Sequence, residues 1–190
     1  MRTTLSILLT AAATLSAADI ATPGPGPQIP RMAPELAIQM PGKQMLLSQF
    51  RGYICAVAFM STTCPHCQHL AGVLAPIQQE YAPKGVQVLG VVFNPEANTG
   101  LRDFSRVYAH DLFPIGMSTD ELVAAFVQHP PGIHYIPMMA FIDAHGVIRA
   151  QHLGIDDEKA KFFREDVEVQ NIRDELDKII KEPTVAIKKK

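Results

Sequence analysis

The sequence predicts an α/β fold: a mixed central sheet flanked by helices, with a β-hairpin added on its N-terminal side. Three observations predict it. Two continuous apolar runs, Tyr53–Met60 and Val86–Phe93, bracket a stretch whose apolar residues recur at three- and four-residue steps. That is a strand–helix–strand unit, and it implies a parallel crossover. Two later runs, Met138–Asp143 and Val147–Gln151, are joined only by Ala144-His145-Gly146, the length of a hairpin connection. Ahead of all these, Glu35–Met40 and Lys43–Leu47 flank Pro41-Gly42. Proline then glycine at the two central positions suits a type II turn.

Each element has a local reason. Tyr53–Met60 is too short for a typical helix and rich enough in β-formers for a buried strand. Over residues 66–82, Leu70, Val73, Leu74, Ile77 and Tyr81 make one apolar helix face. Pro76 is expected to kink or interrupt that helix, and Gly85 to mark its stop. A helix is expected around Leu101–Ala109. Ser118 and Glu121 have capping-box spacing for another through about Gln128. The last helix is expected over Asp157–Ile180, with Val169, Ile172, Leu176 and Ile179 as its buried stripe.

Composition bounds the function. Of 190 residues 47% are apolar and 19% charged, and the formal net charge is −2, which gives no electrostatic reason to expect nucleic acid. Residues 1–18 read as a signal peptide. Arg2 is followed by the charge-free Leu5–Ala18 run, the small Ser16-Ala17-Ala18, and acidic Asp19. The run is short for a membrane span, so no stable membrane insertion is expected once the signal is removed. Residues 19–31 form a Pro/Gly-rich linker around Pro23-Gly24-Pro25-Gly26-Pro27, residues 32–181 the folded domain, and residues 182–190 a basic tail. Localisation is therefore expected to be periplasmic or otherwise exported.

Export changes the meaning of the cysteines, because paired thiols persist as disulfides in oxidising compartments. There are three: Cys55, Cys64 and Cys67. Cys55 lies mid-strand among Ile54, Ala56 and Val57 and reads as a small core residue. Cys64-Pro65-His66-Cys67 follows a buried strand and opens a helix. Unpaired N–H groups and partial positive charge at a helix start favour a thiolate, so Cys64 is the expected attacking sulfur. Pro65 fits the first turn because its missing N–H needs no partner there. His66 can add positive charge or a hydrogen bond. Cys67, further in, is placed to resolve a mixed disulfide.

At this point the chain resembles the thioredoxin superfamily, and within it the exported TlpA-like and ResA-like thiol–disulfide oxidoreductases, of the redoxin or AhpC/TSA-like kind. The segments that carry the resemblance are Ala33-Pro34-Glu35-Leu36, Leu47-Ser48-Gln49-Phe50-Arg51-Gly52, Ser61-Thr62-Thr63-Cys64-Pro65-His66-Cys67 and Tyr135-Ile136-Pro137. The Cys-Pro-His-Cys quartet is also that of the periplasmic disulfide-oxidase family. The resemblance implies a thioredoxin fold over roughly residues 32–180. It implies an enzyme that exchanges thiols and disulfides with client proteins and with a redox partner protein, without a cofactor or metal. It also implies that Pro137 is a cis-proline facing the dithiol and that Ile136 and Pro137 bind substrate backbone.

Three positions depart from the family pattern. Ala58, Leu70 and Gly72 stand where relatives often carry, in turn, a buried carboxylate, an acidic residue and a proline. No obvious carboxylate is then at hand to take a proton from Cys67; water or His69 are the other acceptors. Two other chemistries compete. Cys64, His66, Cys67, His69 and a distant His134 suit Cu(I) or Zn²⁺ handling. Ser61, three residues before Cys64, sits where peroxiredoxins carry Thr or Ser, although Val57 replaces their upstream proline. A non-catalytic domain that only binds client proteins is the remaining reading.

Overall fold

The computed structural model describes residues 28–182 apart from 130, 131, 133, 134 and 155–157. The expected signal peptide, most of the linker, His134 and the basic tail beyond Glu182 lie outside the described residues.

The expected strand–helix–strand unit is β4 (Ile54–Met60), α1 (Pro65–Tyr81) and β5 (Val86–Val92), with β4 and β5 parallel over seven paired positions. Before it come β1 (Arg31–Met32), β2 (Ala37–Met40) and β3 (Lys43–Leu46). After it come α2 (Ala97–Tyr108), β6 (Ile115–Met117), α3 (Asp120–Val127), β7 (Met138–Ile142), β8 (Val147–Leu153) and α4 (Glu168–Lys181). One mixed sheet runs β1-β8-β7-β4-β5-β6-β2-β3. The β2–β3 hairpin turns at Gly42, whose φ of 75° is the left-handed value a type II turn needs.

Strand β4 shows how the core is partitioned. Successive side chains alternate between sheet faces. Ala56, Ala58 and Met60 join Leu70, Leu74, Phe104, Ile172 and Leu176 under α1, α2 and α4. Cys55, Val57 and Phe59 join Leu89, Val91, Val123 and Phe126 under α3, with the Phe59 and Phe126 rings 5.3 Å apart. Each face thus has its own apolar layer, and the central strands β4, β5 and β7 are buried on both sides.

Four expectations need correction. First, α1 is continuous across Pro76. Pro76 is on the exposed side of the helix, where water can satisfy the carbonyl that lost its helical donor. Second, the cap of α3 is Thr119, whose hydroxyl accepts from the Leu122 N–H at 3.3 Å, one residue later than Ser118. Third, the last helix is broken. A 3₁₀ turn spans Glu158–Phe163, and α4 starts only at Glu168. The Asn171 amide holds the break by donating to the Lys161 and Phe162 carbonyls. Fourth, β1 and β6 are additional strands, and α2 begins at Ala97 rather than near Leu101.

Candidate active site

The redox motif sits where β4 hands the chain to α1. Two elements fix that turn. From the end of β5, Asn94 accepts from the Thr62 N–H at 3.0 Å and donates to the Thr62 hydroxyl at 2.9 Å. From α1 itself, the Gln68 amide donates to the Thr62 carbonyl at 2.9 Å. The Ser61 hydroxyl accepts from the Thr63 N–H, and the Ser61 carbonyl from the Cys64 N–H. Asn94 and Gln68 have no motif around them in sequence, and only the fold reveals their part.

Cys64 is the N-cap of α1 in extended geometry, half-buried, with Pro65 as the first helical residue. Its carbonyl accepts from the Gln68 N–H at 3.0 Å, closing the first turn. Cys67 is 0% exposed. Burial, together with hydrogen bonding and charge from Cys64, pushes the Cys67 thiol well above the usual range, against a smaller opposing effect of the Ser61 backbone. The two sulfurs thus differ in surroundings: Cys64 is half-buried at a helix N-terminus, and Cys67 is fully buried. Cys55, in the layer on the other face of the sheet, is buried and pushed up to about 12, which suits an inert core thiol.

The Ile136–Pro137 bond is cis. In the antiparallel β4–β7 pair, Phe59 faces Met138, so Pro137 arrives at the end of the sheet from which residues 61–64 depart. Ile136 is half-buried and packs against both core layers. Gly154, at the end of β8, supports this segment: its N–H donates to the Tyr135 carbonyl at 2.7 Å. A Cβ at Gly154 would lie 2.8 Å from the Pro137 oxygen and 2.9 Å from the Tyr135 oxygen, so only glycine lets the two backbones approach.

His66 and His69 are both exposed, and His69 is in contact with a buried carboxylate that sequence spacing did not reveal. Glu168, the first residue of α4, is 2% exposed and lies 2.5 Å from His69 Nε2. Burial pushes its carboxyl above the ordinary glutamate range, against the opposing pull of His69 and, more weakly, of His66. Among the described residues no three His, Cys, Asp or Glu side chains converge as a metal site. No helix among them is long and apolar enough to cross a membrane.

Residues 29–151 match the model of the AhpC/TSA family. The chain belongs to the AhpC/TSA family. The family's fold is that of the thioredoxin superfamily, and solved structures agree. A thiol:disulfide interchange protein of the thioredoxin family from Chlorobium tepidum is 21% identical with a TM-score of 0.63, over 81% of this chain and 99% of its own. A protein from Sinorhizobium meliloti is 21% identical with a TM-score of 0.64, over 83% of this chain and 86% of its own. The thioredoxin domain of a thiol-disulfide oxidoreductase from Bacteroides vulgatus is 20% identical with a TM-score of 0.55, over 70% of this chain and 96% of its own. These likenesses are of fold. No curated protein matches the chain.

Proposed function

We propose that the protein is a thiol–disulfide oxidoreductase acting on exported client proteins, with a second protein recycling it. The observation that carries this reading is the pairing of a half-buried Cys64 at a helix N-terminus with a fully buried Cys67 one turn inside, where burial favours the thiol. In the reductive direction the Cys64 thiolate attacks a client disulfide. The Cys64–client S–S bond forms, and the other client sulfur leaves as a thiolate. Cys67 then gives up its proton and attacks Cys64, releasing the second client thiolate and closing Cys64–Cys67. The oxidative direction is the reverse. Ile136 and Pro137, beside the motif at the sheet end, hold the client backbone. The reading needs no cofactor.

Replacing the resolving sulfur tests it. In Cys67→Ser, mixing with a disulfide-bonded client is expected to trap a mixed disulfide at Cys64, seen as a mass adduct that reductant removes. Cys64→Ser is expected to give no adduct. An adduct at Cys55, or none in Cys67→Ser, contradicts the reading.

Family membership favours one alternative, peroxide reduction. There the Cys64 thiolate would be oxidised to sulfenic acid as the peroxide O–O bond breaks, and Cys67 would close the disulfide with loss of water. Stoichiometric peroxide consumption by the reduced protein, at rates far above a free thiol, selects that chemistry.

A further inference from the structure

The Cys64–Cys67 pair is not the only acid–base assembly on α1. Glu168 is a carboxylate withdrawn from water, and a buried charge is costly unless it is paired. Its charged neighbours come from two directions. His69 touches it from α1 and His66, on the same helix, adds a weaker favourable charge, while Glu165 in the turn before α4 is a like charge that opposes them. The helix N-terminus it starts also favours negative charge there. His69 is 42% exposed, at the lip of a cleft of about 470 Å³ lined by Val73, Pro76, Tyr108 and Arg173. The buried acid is thus linked to solvent through an imidazole. His69 follows Cys67 by two positions, and His66 separates the two cysteines. The AhpC/TSA match ends at residue 151, before Glu168.

We propose that Glu168, acting through His69 and His66, is a positioning residue for the redox centre that couples proton uptake to reduction of the Cys64–Cys67 disulfide. The inference rests on the thiol–disulfide reading above. Its balance is explicit. A client dithiol supplies two electrons and two protons. The Cys64–Cys67 bond breaks and the client disulfide forms. Cys67 takes one proton, and Cys64 remains a thiolate. The second proton is the one the Glu168–His69 pair accepts, because new negative charge at the start of α1 raises the affinity of the pair for it. Ala58 and Leu70 leave no carboxylate at either position where relatives often carry one, and Glu168 enters from a different element altogether.

The test is the glutathione equilibrium constant of the full chain across pH 4.5–8, for wild type, Glu168→Gln and His69→Gln. Glu168→Gln keeps the shape but cannot titrate. The ratio of wild-type to Glu168→Gln constants is expected to change with pH by about three- to tenfold, the size of a screened charge–charge coupling. His69→Gln, which alters an exposed side chain, is expected to change the same part of the curve and serves if Glu168→Gln folds poorly. A structural clamp alone would leave the ratio constant with pH, and that result overturns the inference while leaving the exchange reading intact. A wild-type protein with no measurable Cys64–Cys67 equilibrium overturns both.

Discussion

At the scale of single residues, the division of labour between two cysteines is a matter of burial. Cys67 is fully buried and its thiol is pushed well up, so it is poorly nucleophilic at neutral pH. Release of a trapped client, the step in which Cys67 attacks, should therefore accelerate as pH rises from 7 toward 9. Stopped-flow measurement of mixed-disulfide decay checks this, and a flat profile would mean that Cys67 is already ionised or relayed. Gly154 carries a different constraint. Glycine at this position lets β8 touch the cis-proline segment, so Gly154→Ala should cost about 1–3 kcal/mol by overpacking and slow client exchange. Denaturant melts beside exchange rates are the measurement. The Cys-Pro-His-Cys motif and Pro137 were legible in sequence because their chemistry is local or motif-bound. Glu168 was not, because its partner His69 belongs to another helix and no spacing rule links them.

At the scale of elements, the apolar period predicted α1 and its buried face well, since Leu70, Leu74, Ile77 and Tyr81 are all buried. Its one misreading was Pro76. A proline interrupts a helix only where its missing hydrogen bond cannot be replaced, and Pro76 lies on the exposed side. Helix α3 turned on a choice between adjacent hydroxyls, and Thr119 rather than Ser118 bonds the Leu122 N–H. Thr119→Ala should therefore destabilise the domain by about 1 kcal/mol, while Ser118→Ala should not reproduce that loss of a cap. Thermal melts of the two variants decide it. The break before α4 was invisible to periodicity. It is made by side-chain bonding of Asn171 to carbonyls nine and ten residues earlier, which a moment along one helix does not register.

At the scale of the whole molecule, the sheet order was only partly legible. The β4–α1–β5 unit and the two hairpins follow from local pattern. Strand β6 is three residues containing Gly116, and β1 is two residues, so both owe their place to partners far along the chain. Strand β6 also depends on a close approach, since a Cβ on Gly116 would lie 2.6 Å from the Ile38 side chain of β2. Helix α4 is tied to the rest by ion pairs as well as by Ile172 and Leu176. His152 bonds Glu175 at 3.1 Å and, with burial opposing, holds its carboxyl below the ordinary glutamate range. A depressed acid contributes stability above its unfolded value and loses it as pH falls through the folded one. Glu175→Gln should therefore cost about 0.5–1 kcal/mol at pH 6 and progressively less below pH 4.5, by denaturant melts across pH.

All of these scales bear on one proposed chemical event, the reversible closure of Cys64 onto Cys67. The direct measurement is thiol alkylation with peptide mass mapping of the native full chain, before and after equilibration with a glutathione redox series. The expected result is a single Cys64–Cys67 disulfide that forms and opens with the series, while buried Cys55 stays unmodified until the protein is unfolded. Free Cys64 and Cys67 thiols at the oxidising end of the series, or a bridge that includes Cys55, would contradict the account.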